Sequence, residues 1–410
     1  MDTIKLITFA GEDKPGLSAS LLEVLAEHDA AILDMGQAVI HKTLSLGILV
    51  GVPDESSWPS IAKELLFRAY ELGLKVKFGD VETDYYTQWV SAEGKPRYII
   101  TLLGPRHSAE AIARVADICF RHDLNIDVIT RLSGRIPLEK ANTPSLACIE
   151  LSVRGRPADF DALRAELMAI GRDPETDIAF QVDDVFRRNR RLVAFDMDST
   201  LIQTEVINEL ANRAGVGDQV AEITEAAMRG ELDFNESLRQ RLALLKGLNE
   251  SVLEEIADAL PITEGAERLI AMLKRLGYKV ALISGGFTYF AERLQQKLGI
   301  DYICANELEI KDGALTGHVI GQVVDAERKA AVLQEFAERD HIRLEQVIAV
   351  GDGANDLPML AAAGLGIAFR AKPLVAESAD HSLSTVGLDG ILYLIGVRDR
   401  ETLREYERGG

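Results

Sequence analysis

Cysteine is scarce in this chain, and its three cysteines lie far apart, at Cys119, Cys148 and Cys304. An odd number of widely spaced thiols provides neither a disulfide framework nor the paired spacing of a structural zinc site. The N-terminal residues also lack the basic, apolar and small-residue regions of a secretory signal. These absences indicate a reducing compartment, and we expect the protein in the cytoplasm.

Long apolar runs and an excess of positive charge are absent too. No stretch approaches the roughly 18 consecutive apolar residues that a membrane-spanning helix needs. The chain has 45 lysines and arginines against 65 aspartates and glutamates, which gives a formal net charge of -20. Because nucleic acids and many membrane surfaces are anionic, such a protein repels them, and we expect neither as a partner.

Apolar residues are frequent enough for ordinary folded domains. They make up 47% of the 410 residues, and this length predicts two to four domains. The first half contains an internal repeat, in which KLITFAG at 5–11 matches YIITLLG at 98–104. Each copy continues in the order βαββαβ, the split unit of ferredoxin-like folds. The predicted domains are 1–82 and 97–183, and the predicted linkers are 83–96 and 183–190.

This topology and the loop GEDKPGL at 11–17 resemble those of ACT domains, the small modules that sense amino acids. A glycine at the helix start, Gly16, leaves backbone N–H groups open to a carboxylate. The resemblance therefore implies an effector site at Asp13 and Gly16, for serine or a related amino acid. The second copy has GPRHSAE at 104–110, without a glycine at that point. The alternative is that both copies serve only for oligomerisation.

Sheets of this kind expose strand edges, and unpaired edges favour pairing with another chain. We therefore predict a homodimer that is joined largely through residues 1–182.

The second half, at 190–410, has the pattern of an α/β domain. Strand-like runs at 279–284, 346–352 and 365–370 alternate with helical segments, which predicts a doubly wound parallel sheet. A helical stretch at about 203–262 follows the first strand directly. We predict that it forms a cap over the carboxyl ends of the strands, where open parallel sheets bind their ligands.

That first strand is the apolar run Leu192 to Phe195, within RLVAFDMDSTLI at 191–202. Two carboxylates, Asp196 and Asp198, follow it, and they repel each other unless a cation or a difference in protonation stabilises them. A hard cation bound by oxygen atoms is one solution, and Mg2+ is the common one beside a phosphate. The alternative is that Asp198 or Ser199 only caps a helix.

Three further polar groups stand at predicted strand ends or near a helix start. They are Ser284-Gly285-Gly286, then Lys329, then the segment Gly351-Asp352-Gly353-Ala354-Asn355-Asp356. Each has a plain structural alternative: a turn residue for Ser284, a solvated lysine for Lys329, and a helix N-cap for Asp352. The four groups together, in this order, favour a single site at the strand ends.

This set resembles the motifs of the haloacid dehalogenase superfamily of phosphohydrolases, over residues 191 to about 390. The signature DxDSTLI at 196–202 and the following Glu205 are most similar to those of phosphoserine phosphatases. The resemblance implies Mg2+-dependent hydrolysis of O-phospho-L-serine to serine and phosphate through an aspartyl-phosphate. That reaction is the last step of serine biosynthesis.

Roles for individual residues follow from the same resemblance. It implies Asp196 as the nucleophile and Asp198 as the general acid and base. The residues implied to bind Mg2+ are Asp196, Asp352 and, through its backbone carbonyl, Asp198. The residues implied to hold or orient the phosphoryl group are Ser284, Gly285, Lys329 and Asn355, with Asp356 in a supporting position behind the metal.

Substrate choice is assigned to the cap, where the family pattern matches Met228, Phe234 and Arg241, together with Glu205. An amino-acid head group has one cation and one anion. Glu205 can bind the ammonium, and Arg241 can hold the carboxylate through two parallel hydrogen bonds. Met228 and Phe234 would form an apolar wall.

Three alternatives stay open at this point. Arg241 could lie on a solvated helix face, the enzyme could hydrolyse another small or protein-borne phosphate, or the chain could be an amino-acid sensor with a silent catalytic half.

Overall fold

The computed structural model of the chain describes residues 3–91, 94–106, 108–135, 146–171, 175–379 and 381–401. These residues form two compact units, Met1–Lys95 and Pro96–Gly410. In the described part of the chain, each helix is too short or too polar to cross a lipid bilayer.

The first unit is a four-stranded antiparallel sheet with helices packed on it. Its elements are β1 (Thr3–Glu12), α1 (Leu17–Glu27), β2 (Ala31–Ile40), β3 (Thr43–Val52), α2 (Trp58–Glu71), β4 (Lys75–Val81) and α3 (Thr83–Ser91). The strand order is β2-β3-β1-β4, so β2 and β4 are the edges. In β3, Leu44, Leu46 and Ile48 are buried and alternate with less buried residues, which turns one face of the strand towards α1 and α2. The predicted βαββαβ order is confirmed.

The second unit contains an eleven-stranded sheet. Its elements are β5 (Arg97–Gly104), α4 (Ala109–Arg121), β6 (Leu124–Arg131), β7 (Ala147–Gly155), α5 (Phe160–Ile170), β8 (Asp177–Val182), β9 (Leu192–Phe195), α6 (Val206–Ala214), α7 (Gly217–Met228), α8 (Phe234–Leu244), α9 (Ser251–Ala259), α10 (Ala266–Arg275), β10 (Lys279–Phe287), α11 (Thr288–Leu298), β11 (Tyr302–Lys311), β12 (Ala314–Ile320), α12 (Ala326–Arg339), β13 (Val347–Gly351), α13 (Leu357–Ala362), β14 (Leu365–Phe369), α14 (Pro373–Ser378), β15 (His381–Leu383) and α15 (Ile391–Leu394). The strand order is β12-β11-β10-β9-β13-β14-β15-β8-β5-β7-β6.

The second βαββαβ copy, β5 to β8, shares this sheet with the α/β domain. Strand β8 pairs antiparallel with β15, with Ile178 opposite Ser382. The buried carboxylate of Asp177 accepts hydrogen bonds from two successive backbone N–H groups just after β15, both at 2.8 Å. One ring nitrogen of the buried His381 lies 2.8 Å from the carbonyl oxygen of Phe180. The last strand of the second copy therefore continues the sheet of the α/β domain.

The α/β domain winds in both directions from β9, which lies between β10 and β13 and runs parallel to both. The carboxyl ends of these three strands are therefore neighbours, at the point in the topology where such sheets bind ligands. Helices α6 to α9 are inserted directly after β9. The predicted doubly wound parallel sheet with a helical insert is confirmed.

Two elements differ from the sequence prediction. The segment 83–96 was predicted as a linker, but it contains α3, and no residue of α3 is buried. Because no residue of α3 belongs to a hydrophobic core, the sequence lacked the strong apolar periodicity by which helices are predicted. Strand β12 was also missed. It pairs antiparallel with β11, and its central Gly317 has a φ of 87°, which strand patterns do not anticipate.

Candidate active site

The turn after β9 brings two carboxylates to the end of the sheet. Backbone N–H of Asp196 donates to the carbonyl oxygen of Val350 in β13 at 2.9 Å, which fixes the end of the strand. Ser199 then has a φ of 58°, a left-handed conformation that reverses the chain. The Asp198 carboxylate accepts a hydrogen bond from the backbone N–H of Val206, at the start of α6, at 3.1 Å. Asp198 is thus held between the core and the cap.

Three carboxylates and one lysine form the centre of the site. Oxygen atoms of Asp196, Asp352 and Asp356 all lie within 4.8 Å of one another. The fully buried Lys329 donates to Asp196 at 2.8 Å and to Asp356 at 2.7 Å. Burial tends to lower the pKa of Lys329, but the two adjoining carboxylates outweigh that effect and hold its pKa above the usual range. Lys329 therefore stays charged.

One lysine does not balance this acidic cluster. Burial and the nearby Asp356 raise the pKa of Asp196 to about 6, even though Lys329 opposes the shift. Burial and the nearby Asp196 raise the pKa of Asp352 to about 7. Carboxylates this close are stable as anions only with additional positive charge. Three oxygen donors in this spacing fit a hard divalent cation such as Mg2+.

The C-terminal part of β10, from Ser284 to Gly286, faces the carboxylates. The Ser284 hydroxyl oxygen accepts a hydrogen bond from the backbone N–H of Gly286 at 2.9 Å, so its own hydrogen can be donated to a ligand. A Cβ atom on Gly286 would lie 2.5 Å from the Met197 side chain and 2.7 Å from the Asp198 carboxylate. Position 286 therefore requires a glycine so that this part of β10 can approach the carboxylates closely.

These groups line a single cavity of about 800 Å³. The predicted site residues that line it are Asp196, Asp198, Glu205, Phe234, Arg241, Ser284, Gly285, Asp352 and Asn355. Lys329 and Asp356 lie behind this surface, in contact with each other. The structure thus brings together the motifs that the sequence separates by more than 150 positions.

The cap contributes the opposite wall of the cavity. Arg241 is only 8% exposed, and burial lowers its pKa, although Glu205 and Asp198 act in the other direction. Its burial excludes the alternative of a solvated helix face. Phe234 lies so close to the C-terminal part of β10 that a Cβ on Gly285 would lie 2.9 Å from its ring. The side chain of the predicted Met228 lies outside the described residues.

The two predicted effector residues belong to the first unit. Gly16 begins α1 with a φ of 90°, and no side chain caps the helix. Asp13 is exposed, and its backbone N–H donates to the carbonyl oxygen of Lys42 at 2.8 Å. In the second copy, by contrast, the Ser108 side chain accepts hydrogen bonds from two N–H groups at the start of α4. The helix start of the second copy is therefore already occupied by its own side chain.

Two residues of the site were not predicted. Asn306, only 2% exposed, donates to the carbonyl oxygen of Gly285 at 2.7 Å and accepts from the backbone N–H of Val324 at 2.9 Å. It thereby ties the C-terminal part of β10 to the segment before α12, the helix that carries Lys329. The one sequence feature that could have indicated Asn306 is the presence of a polar residue inside an apolar strand. Lys372 lines the same cavity as a second cation and acts on Asp352, and only its position after β14 could have indicated it.

Comparison with known proteins agrees with this geometry. A model of haloacid dehalogenase-like hydrolases matches residues 190–364, and an ACT-domain model matches residues 3–79. The phosphoserine phosphatase SerB2 of Mycobacterium tuberculosis is 41% identical over 393 residues, which cover 96% of this chain and 93% of that protein. A phosphoserine phosphatase of Streptomyces coelicolor is 42% identical over 398 residues, which cover 97% of this chain and 93% of that protein.

One solved structure extends the similarity to most of the fold. The unliganded probable phosphoserine phosphatase from Vibrio cholerae is 36% identical, has a TM-score of 0.57, and covers 75% of this chain and 88% of its own. Sequence similarity over nearly the full length and this structural similarity agree with the motifs assembled in the cavity. The chain therefore belongs to the phosphoserine phosphatase family of haloacid dehalogenase-like hydrolases, and it carries an N-terminal ACT domain.

Proposed function

We propose that this chain hydrolyses O-phospho-L-serine to L-serine and phosphate, the last step of serine biosynthesis, in the cytoplasm. The observation that carries the proposal is the two-ended cavity. One end has the Asp196 carboxylate and the Ser284 hydroxyl, with Lys329 bonded to Asp196 from behind, which suit a phosphoryl group. The other end has Glu205 and the buried Arg241, which suit an ammonium and a carboxylate.

The chemistry proceeds in two displacements at phosphorus. An ionised Asp196 oxygen attacks phosphorus, the bond to the serine oxygen breaks, and an aspartyl-phosphate forms. Water then attacks the same phosphorus, which releases phosphate and regenerates the carboxylate. Asp196, Asp352 and the Asp198 carbonyl would hold Mg2+, which supplies positive charge to the phosphoryl oxygens when bound. Lys329 and the Ser284 hydroxyl add donors to those oxygens.

Asp198 supplies and removes the proton in these steps. Burial and the neighbouring Asp196 raise the pKa of Asp198 well above its usual range, so its protonated form persists to higher pH than that of an ordinary aspartate. That form can donate its proton to the departing serine oxygen. The resulting carboxylate can then take a proton from the attacking water, which restores the starting state.

Arg241→Ala should raise KM for phosphoserine by about 10- to 150-fold, because a charged hydrogen-bonded pair contributes about 1.5–3 kcal/mol. The KM for a phosphate ester without a carboxylate should rise far less. Steady-state kinetics on both substrates measure the difference. Arg239→Ala is the matched control, since Arg239 lies on the same helix, is exposed, and bonds to Glu236 and to the carbonyl oxygen of Asn235 in that helix. Equal losses on both substrates would assign Arg241 to cap structure.

Another small or protein-borne phosphate is the competing substrate class. Rates over a panel of phosphorylated metabolites and phosphopeptides would distinguish it, and a peptide hydrolysed faster than phosphoserine would contradict the proposal. A silent sensor is the other alternative. The assembled Asp196, Lys329 and Asp352 speak against it, because a catalytically silent half has no need to bury uncompensated carboxylates.

We further propose that serine or a related amino acid binds at Asp13 and Gly16 and changes activity. The uncapped start of α1 supports this, because its free N–H groups attract a carboxylate. Gly16→Ala should weaken serine's effect on the full chain, measured as the change in kcat at saturating phosphoserine. Gly73→Ala is the matched control: its φ of 72° and open surroundings give the same backbone penalty at a different place. Identical effects of serine in both variants would refute the site.

We also propose that the protein is a homodimer joined largely through residues 1–182. Edge strand β2 supports this, because Met35 and Ile40 are 49% and 78% exposed and its outer backbone groups have no strand partner among the described residues. Ile40→Lys should shift the chain towards monomer in sedimentation velocity. If the Ile40→Lys chain remains a dimer, the interface does not include this edge of β2.

A further inference from the structure

The cap helix α8 turns one face towards the catalytic cavity. Four of its side chains line that cavity, and their spacing is that of a single helix face: Phe234, Ser237, Leu238 and Arg241. Phe234 and Arg241 belong to the substrate-facing wall described above. Ser237 lies between them on the same face, and neither the sequence motifs nor the proposed mechanism gives it a role.

The hydroxyl group of Ser237 is buried and has no partner. The residue is only 2% exposed, and its Oγ forms no hydrogen bond with any of the described residues. A buried serine within a helix often bonds to the carbonyl oxygen four residues earlier. Here only the backbone N–H of Ser237 bonds to that carbonyl oxygen, in Asp233, at 2.9 Å. A buried hydroxyl without a partner costs free energy, and a ligand that enters the cavity can remove this cost.

A second hydroxyl in the same cavity shows that the unsatisfied state is particular to Ser237. Thr224 of α7 also lines the cavity, but its hydroxyl donates to the carbonyl oxygen of Val220, one helical turn earlier, at 2.9 Å. The Thr224 hydroxyl is therefore satisfied by its own helix. It needs nothing from a ligand, which makes it a natural control for Ser237.

The neighbouring Arg241 indicates which group of a ligand lies beside this hydroxyl. Arg241 follows Ser237 by one helical turn, and its Nε–H donates to the backbone carbonyl oxygen of Ser237 at 3.3 Å. The guanidinium thus lies against Ser237, and its two terminal nitrogen atoms are left for a ligand carboxylate. The two oxygen atoms of a carboxylate can accept more hydrogen bonds than these two nitrogens supply. A further donor from the same helix face would complete the binding of that group.

We propose that Ser237 is a further substrate-binding residue, whose hydroxyl donates a hydrogen bond to the α-carboxylate that Arg241 holds. This inference rests on the proposed hydrolysis of phosphoserine and adds to it a determinant of specificity. A substrate without a carboxylate leaves the buried hydroxyl unsatisfied and is disfavoured for that reason. The contact involves a part of the substrate that does not react, so its loss raises KM and leaves kcat nearly unchanged.

Ser237→Ala should raise KM for phosphoserine about tenfold or more, because the lost hydrogen bond has a charged acceptor. Two shorter esters identify that acceptor in steady-state kinetics. Carboxyethyl phosphate lacks the ammonium of phosphoserine but keeps its carboxylate, so its KM should rise as well. Phosphoethanolamine lacks the carboxylate but keeps the ammonium, so its KM should not rise. Thr224→Val, which removes the satisfied hydroxyl from the same cavity, should leave all three KM values unchanged.

A double-mutant cycle tests whether Ser237 and Arg241 bind the same group. In the Arg241→Ala chain, Ser237→Ala should have a much smaller effect on KM than in the parent chain. Thermal unfolding without ligand checks the fold. The melting temperature of Ser237→Ala should not fall, because alanine removes an unsatisfied group and favours a helix.

Three results would overturn the role of Ser237 in a chain that hydrolyses phosphoserine. They are an unchanged KM for phosphoserine in Ser237→Ala, an equal rise in KM for phosphoethanolamine, and full additivity with Arg241→Ala. A parent chain that does not hydrolyse phosphoserine at all would refute the proposed function, and this inference with it.

Discussion

Asp196→Asn should leave a folded protein that forms no phosphoenzyme and loses turnover on the order of 10⁶-fold, as removal of a nucleophile does in other covalent enzymes. An amide has no anionic oxygen with which to attack phosphorus. Acid-quench trapping with labelled phosphoserine measures the intermediate directly. We expect label on the parent chain and none on the variant.

The fold should survive this change for an electrostatic reason. Burial and the nearby Asp356 raise the pKa of Asp196 to about 6, so at pH 7 its ionisation is less favourable in the folded chain than in the unfolded chain. Replacing it by a neutral amide removes that repulsion, while Lys329 keeps its bond to Asp356. A large drop in Tm in metal-free buffer would contradict this account. Labelled phosphoenzyme in the variant would assign the nucleophile to another residue.

Asp198→Asn should lower turnover by about 10²- to 10⁴-fold, the usual contribution of a general acid or base. Metal binding should persist, because the proposed ligand is the backbone carbonyl, which the substitution keeps. The variant should still form some phosphoenzyme, unlike Asp196→Asn. Rapid-quench kinetics would separate the slowed formation of the intermediate from its slowed hydrolysis.

The pH profile gives an independent check on Asp198. Its pKa is raised, so the protonated acid persists to higher pH than an ordinary aspartate and is lost as pH rises through that pKa. The parent enzyme should therefore show a fall in kcat/KM on the alkaline side. An asparagine cannot titrate, so this fall should disappear in the variant. An unchanged alkaline limb would assign the acid to another group.

The sequence could predict this site because its chemistry is local to strand ends. Asp196, Ser284 and Asp352 each follow an apolar run, and parallel strands bring their carboxyl ends to one edge of the sheet. The burial of Arg241 could not be predicted in the same way. Its helix has a polar composition, and only the packing of the cap over the sheet encloses it.

The other features that the sequence did not predict depend on contacts between distant parts of the chain. Asn306 acts through two backbone groups that lie 21 and 18 residues away, and no periodic pattern encodes such contacts. The pairing of β8 with β15 joins segments that each look like an ordinary strand of a separate domain. Helix α3 has no fully buried residue, so its pattern gave only a weak indication of a packed helix. Patterns in a sequence report burial on one face and not the choice of partner strand.

The shared sheet sets where the chain can be shortened. A cut after residue 182 would strip β8 from β15, leave the backbone groups of that strand open to water, and release His381 from Phe180. The four strands of the first unit pair only with one another among the described residues, so a cut near Lys95 breaks no strand pair. The first module can therefore be removed without breaking a strand pair of the described residues, whereas the second supplies strands to the sheet of the α/β domain.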